Sequence, residues 1–499
     1  IEKMTALDPS SRYKNILEVI EDIKKVIPTD YDFIDKEYYE RLNFNIPLIN
    51  RVIEKKKTLD LIHGKFLGKS KNNFVFIHGE AGVGKSRFVK EINLQVRMNK
   101  INVCSIELNQ ENNEMFSIYK KILRFIVKNN RIDNNLIDKY GSELVKIYPG
   151  LAAMWDVKPS ETLTEDKEIL RLNNRISNFI NEFAAKRPFV VILDNINYAH
   201  KNDLDIMEYL VRISKESSLF FLCTYTDEEI YGINEFLLKQ HKEVNTKFLQ
   251  LSKLNFEETS SLLKNILGMD HKPMKLTTKI MEETNGNPRY VEEIVKSLFM
   301  DKQIMVSLKR VWMADIDDIY NLELPSSIDD AILRSIHSLD DETRTVLDNI
   351  SIFHSPVSLQ TICKIVDLEQ NKIIRVLVDL VTLRIINEKF EDWGYSYDYY
   401  DNQIKKYIYN SIDEDEKKKY HLDAANALEE FYISEGRDYT VELVYHFTNC
   451  RAYDKAIKYC IKAAEKMELL HIYNQALVFY NRAIELLKEY QDINLLIDV

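Results

Sequence analysis

The residues with the clearest chemical potential form one short stretch, Gly79, Glu80, Ala81, Gly82, Val83, Gly84, Lys85 and Ser86, which reads G-x-x-x-x-G-K-S. The chain has only 12 glycines, and three of them fall within these positions. Glycine adopts backbone conformations closed to other residues, so such a cluster can turn successive N–H groups inward around an anion. An apolar run at 74–77 (FVFI) precedes the loop and a helical pattern follows it. Strand, glycine loop and helix in that order make a phosphate cradle, to which the helix N-terminus adds positive potential. Lys85 is expected to reach the β- and γ-phosphates of ATP, and Ser86 to ligate Mg²⁺. A plain glycine turn is the competing reading, and the strand and helix flanks weigh against it.

A second apolar run, residues 188–194 (PFVVILD), ends in Asp194. The C-terminal end of a strand is where ligands gather on a parallel sheet, so Asp194 is expected to hold Mg²⁺ through water. An Asp that only caps the next helix is the bland alternative. Asn195 follows, where many nucleotide hydrolases carry a second acid. An amide can orient water but is a poor proton acceptor. Asp194 and Asn195 are therefore the candidate catalytic pair, and they suit slow hydrolysis; the alternative is that Glu80 or another acid substitutes for the missing one.

These residues need a frame. Residues 101–108, 218–225 and 247–251 read as further buried strands, and 112–187 as mainly helical. Five strands alternating with helices predict a three-layer α/β/α sandwich on a parallel sheet, the P-loop NTPase class. At 499 residues the chain is too long for one core. Residues 327–410 have the pattern of a winged helix, with helices at 327–350, 358–366 and 370–383 and a hairpin after them. Its candidate recognition helix, NKIIRVLVDLVTLRI, carries few basic residues, and the net charge of −11 gives no general footprint for nucleic acid or membrane. DNA binding by this chain is therefore not expected. From about 412 the sequence turns all-helical. Tyr453, Ala456, Tyr459 and Ala463 recur as Tyr473, Ala476, Phe479 and Ala483, which predicts a tetratricopeptide-like solenoid that binds protein partners. A helical bundle closing the domain is the alternative. No apolar run reaches the length of a membrane span, and five scattered cysteines suit buried thiols in a reducing cytoplasm.

Taken together, these motifs resemble the signal-transduction ATPases with numerous domains (STAND), in the wider AAA-like group and especially its bacterial branch. PLINRVIE at 47–54 resembles the family's hhGRExE motif, and GEAGVGKSR matches its P-loop through Arg87. YPGLAAMW at 148–155, ILDNINYAH at 192–200 and CTYTDEE at 223–229 are similar to further family segments. LSKLNFEETSSLL from 251 and TNGNPRYVEEI from 284 resemble the helical lid with its GxP motif, and LPSSIDDAILRSI from 324 resembles the approach to its winged helix. The resemblance implies that Pro288 contacts nucleotide and that Arg51 lies near the adenine. It departs from the family at Asn195 and at Thr226, where the family carries an acid and an arginine.

The opening residues, IEKMTALDPSSRYKNILEVIEDIKKV, resemble the tail of a protein kinase, without its catalytic loop. The resulting division is a kinase tail at 1–27, a linker at 28–44, the ATPase core at 45–254, the lid at 255–325, the winged helix at 326–411 and the repeats at 412–499. The expected function is an ATP- and Mg²⁺-binding signalling switch that acts on protein partners or on a kinase domain in cis. An active AAA-like ATPase, or the ATPase core of a transcription regulator whose DNA-binding domain lies elsewhere, is the alternative.

Overall fold

The computed structural model describes residues 22, 42–44, 46, 48–109, 115–161, 163–214, 217–228, 232–269, 271–304, 322–391, 394–435, 438–469 and 473–497. Apart from Asp22, the kinase-like opening lies outside them. Helix α1 (Val52–Phe66) leads into β1 (Phe74–Gly79), the glycine loop and α2 (Lys85–Met98). Then come β2 (Asn102–Glu107), α3 (Ser117–Asn129), α4 (Asn134–Ile147), α5 (Leu151–Trp155), α6 (Glu165–Lys186) and β3 (Phe189–Asp194). A short 3-10 turn, Ile196–Tyr198, precedes α7 (Lys201–Ile213), β4 (Leu219–Thr226), α8 (Asn234–Gln240) and β5 (Thr246–Gln250).

All five strands are parallel, in the order β2-β3-β4-β1-β5. Strand β3 is buried along its whole length, as expected of a sheet covered on both faces. Each fully buried Val, Leu, Ile or Phe contributes about 1.5–3 kcal/mol. Side chains alternate between two cores. Val75, Ile77, Val103, Val190 and Ile192 pack toward Phe88 and Ile92 of α2. Phe76, Ile106, Val191 and Leu193 pack on the opposite face. The P-loop NTPase fold expected from the strand pattern is the fold observed.

The lid comprises α9 (Phe256–Leu267), α10 (Met274–Thr284) and α11 (Pro288–Met300). An Asn255/Glu258 capping box starts α9. A winged-helix arrangement follows: α12 (Ile328–His337), α13 (Asp341–Ser351), β6 (Val357–Ser358), α14 (Leu359–Ile365), α15 (Gln370–Thr382), the antiparallel hairpin of β7 (Ile386–Glu391) and β8 (Gly394–Tyr399), and α16 (Asn402–Ser411). The single helix read at 327–350 is two. Asp340 caps a new helix by accepting from the Thr343 nitrogen, and this breaks the run at 338–340.

The C-terminal helices are α17 (Glu414–Glu435), α18 (Thr440–Asn449), α19 (Tyr453–Leu469) and α20 (Tyr473–Ile497). Ala456, Ala463, Ala476 and Ala483 are buried, so the small residues of the repeat lie where neighbouring helices meet. All five cysteines are free thiols, and Cys104, Cys223 and Cys460 are buried. Among the described residues no helix is long and apolar enough to cross a membrane.

Candidate nucleotide site at the glycine loop and lid

Strand β1 delivers the glycine loop to the C-terminal edge of the sheet, and α2 begins at Lys85. The Lys85 ammonium is nearly buried and donates to the carbonyls of Gly79 at 2.8 Å and Glu80 at 2.9 Å. The loop thus curls around its own lysine, while Ser86 and Arg87 occupy the first turn of α2. The Glu80 side chain is paired with Lys253 at 2.7 Å. Lys253 lies on the connection from β5 to the lid and lines, with Glu80, Val83 and Met281, a cavity of about 580 Å³ beside the loop.

The lid touches the loop directly. Asn287 Nδ2 donates to the Ala81 carbonyl at 2.8 Å, and the Arg289 nitrogen donates to the Gly82 carbonyl at 3.2 Å. Gly82 has φ +83°, and a Cβ there would stand 2.5 Å from Asn287 Oδ1. The second glycine that lets the two parts close is Gly286, at φ +74°, where a Cβ would meet the Leu254 carbonyl oxygen at 1.9 Å. Pro288 opens α11 and Asn287 caps it, so proline sits where its missing N–H costs nothing. Pro288 is thereby held one residue from both lid-to-loop bonds.

Asp194 is 4% exposed, at the end of β3. Thr224 on β4 donates its hydroxyl to Asp194 Oδ1 and accepts from the Asn195 nitrogen at 2.9 Å. Asn195 itself has φ 63° and ψ 55°, the left-handed conformation that Asn tolerates better than most residues. Its identity therefore has a backbone reason as well as a chemical one. The Asn197 amide clamps Thr226, donating to its carbonyl at 3.1 Å and accepting from its nitrogen at 3.0 Å. Sequence reasoning missed Thr224 and Asn197. A hydroxyl inside the apolar run LFFLCTYT was the available signal for the first.

Arg51 is 6% exposed and donates to the Ser252 carbonyl, while its other terminal nitrogen is 4.0 Å from Glu54. Its guanidinium ties the start of α1 to the β5–lid connection. Arg87 is drawn the other way, to the Ile46 carbonyl and to Glu292 on the lid helix at 3.2 Å. Glu292 also holds Arg384 of the winged helix at 3.3 Å. Burial lowers the Arg87 pKa against the pull of Glu292, and burial raises that of Glu292 against both arginines. One residue turn earlier, Arg289 pairs with Asp401, the cap of α16. Helix α11 therefore grips the loop, the first turn of α2 and the winged helix at once.

Residues 53–222 match the profile of the AAA ATPase domain family. No curated protein matches the sequence. Among solved structures, the chain is similar to a STAND protein with a tetratricopeptide repeat sensor from Pyrococcus horikoshii, at 13% identity and a TM-score of 0.52. That match covers 92% of this chain and 56% of the other, so the chain spans little more than half of its length. The Aeropyrum pernix ORC1 protein in complex with DNA aligns over 75% of this chain and 94% of its own, at 13% identity and a TM-score of 0.34. The Thermotoga maritima RuvB Holliday junction branch migration motor aligns over 73% and 96%, at 13% identity and 0.31. Residues 53–222 thus carry the AAA ATPase domain profile, and the chain shares the fold of the Pyrococcus protein.

Proposed function

We propose that this chain is an ATP- and Mg²⁺-binding signalling switch in which nucleotide state sets the position of the lid and, through it, the winged helix and the helical repeats. One observation carries the reading: the N-cap and first two turns of α11 bond to the glycine loop through Asn287 and Arg289 and to the winged helix through Arg289 and Glu292. A ligand that alters the loop must alter both sets of contacts. A switch needs only different affinities for its two states, not rapid turnover.

In this reading Gly79 to Gly84 and the N-terminus of α2 receive the phosphates and Lys85 leaves its carbonyl partners for them. Arg51 and Arg87 border the nucleoside side, and Pro288 reports on the ligand. Ser86 and Asp194 are hard oxygen donors suited to Mg²⁺. The ion would neutralise charge on the phosphates. Among the described residues no group of three or more His, Cys, Asp or Glu could hold a metal. Slow hydrolysis is proposed from Asn195. The helical repeats are the proposed site for protein partners, and a kinase domain in cis is the proposed output.

The test is equilibrium binding of Mg·ATP and Mg·ADP, beside Lys85→Ala, with hydrogen exchange followed at 286–292 and 384–401. Binding lost in Lys85→Ala, with protection of both segments differing between the two nucleotides, is expected. Binding with identical protection would remove the switch and leave a static nucleotide-binding scaffold. Turnover near the median enzyme rate of about 10 per second would favour the active ATPase instead.

A further inference from the structure

Loss of an acid at 195 leaves open which group could accept a proton from an attacking water. The sheet register supplies one. Strands β2 and β3 run parallel with Glu107 opposite Asp194, and the ladder continues beyond them through the Leu108 nitrogen to the Asp194 carbonyl at 3.0 Å. Residues paired in this register share a face of the sheet. Val103 opposite Val190 lies on the α2 side, and two steps on at each strand come Ser105 opposite Ile192, then Glu107 opposite Asp194. Glu107 therefore leaves the sheet on the same face as Asp194, at the same height, one strand away, or about 4.8 Å. Asp194 is buried and committed to Thr224, whereas Glu107 is solvent-exposed at the edge of the sheet.

The direction of attack favours this position. In the sheet order β4 lies between the glycine loop on β1 and Asp194 on β3, so a terminal phosphate shared by that loop and Asp194 would extend across β4 toward β3. In an in-line displacement the nucleophile arrives opposite the leaving oxygen, so water must come from the β3–β2 side. Glu107 is the carboxylate there, and Asn195 is fixed by a left-handed backbone and the Thr224 bond.

We propose that Glu107 is the general base for ATP hydrolysis, in place of an acid at 195; this rests on the nucleotide-binding reading above. Its carboxylate takes a proton as the water oxygen bonds to the γ-phosphorus. The bond from that phosphorus to the β–γ bridging oxygen breaks, and its electron pair leaves with ADP. The products are ADP and phosphate, and Glu107 then returns its proton to solvent. Asn195 positions water without accepting its proton.

The experiment is single-turnover phosphate formation and acid-quenched analysis of bound nucleotide for wild type, Glu107→Gln, Glu107→Asp, Asn195→Ala and Lys85→Ala. ATP affinity of Glu107→Gln should stay within about twofold, and its chemical step should slow by roughly 100-fold, the lower end for general-base loss. The variant should retain ATP where wild type holds ADP, and Glu107→Asp should recover part of the rate. An unchanged rate in Glu107→Gln overturns the assignment. So does a wild type that binds ATP and never forms ADP. A wild type that binds no better than Lys85→Ala overturns the nucleotide reading itself, and the assignment with it. Since Glu107 is exposed, unaltered thermal melting of Glu107→Gln separates chemistry from misfolding.

Discussion

Arg289 and Asp401 are ion-paired across the boundary between lid and winged helix, 112 residues apart in sequence. The backbone of the same arginine is bonded to the glycine loop. A residue bonded to the glycine loop thus also holds a second domain. Both side chains are partly exposed, so solvent screens the pair and a double-mutant cycle with Arg289→Ala and Asp401→Ala should give a coupling of about 0.5–1 kcal/mol. Urea unfolding at low and high salt measures it, and a coupling of zero at low salt would show that the pair joins nothing.

Glu292 should be the more costly residue to remove. It lies between Arg87 and Arg384, and its loss leaves two half-buried guanidinium groups facing each other. Glu292→Ala should destabilise by about 3 kcal/mol, the lower end for breaking a buried ion pair. Glu292→Gln should cost less, because an amide still accepts a hydrogen bond. Equal, small losses for both would mean that the charges are already satisfied by water.

The glycines give a graded series. Gly286→Ala drives a Cβ into the Leu254 carbonyl at a left-handed backbone, whereas Gly268→Ala meets only the backbone strain at φ +63°, and Gly232→Ala meets neither. Gly268→Ala should cost about 1 kcal/mol and Gly232→Ala close to zero. Gly286→Ala should exceed both, because the Leu254 oxygen is backbone and cannot swing aside. Melting temperatures of the three variants rank them; a Gly286→Ala protein as stable as Gly232→Ala would mean that the lid hinge is not closed as described.

The helical region predicts an acid-labile joint. His421 and His446 are buried with their Nδ1 atoms 2.9 Å apart, near His354, Tyr409 and Tyr445. Burial pushes His421 down to about 4 and His446 well below its usual value, each further lowered by neighbouring histidine charge. A depressed histidine favours the unfolded state once protons bind. Its stability contribution is complete above the unfolded value near 6.5 and drains away as pH falls toward 4, with a slope of at most about 1.4 kcal/mol per pH unit for each proton. Asp203 acts oppositely: burial raises it to about 7, so its contribution is lost as pH rises through that value. The measurement is therefore the difference in urea midpoint between wild type and His446→Phe from pH 7 to 5. It should narrow as pH falls, and a constant difference would remove the histidines as the cause.

Much of the site was legible because its signals are local. Strand β3 ends at Asp194 as read, and the glycine loop lies between strand and helix as read. The Thr224–Asp194–Asn195 arrangement was not, since it depends on β4 lying beside β3. Glu107 was invisible for the same reason: only register places it opposite Asp194. The Arg87–Glu292–Arg384 junction joins residues far apart in sequence, each an ordinary surface charge when read alone. The break at 338–340 has a local signal in Asp340, whose side chain caps the helix that follows.

Gly286 lies just before the 13-residue helix α11, and the bonds to the glycine loop lie within a turn of it. A helix of that length spans about 20 Å, so a pivot of about 10° at Gly286 would shift the far end near Met300 by about 3 Å while the loop contacts move by well under 1 Å. The geometry is that of a lever with its load arm far longer than its input arm. A sub-ångström displacement at the glycine loop would arrive at the next domain enlarged severalfold.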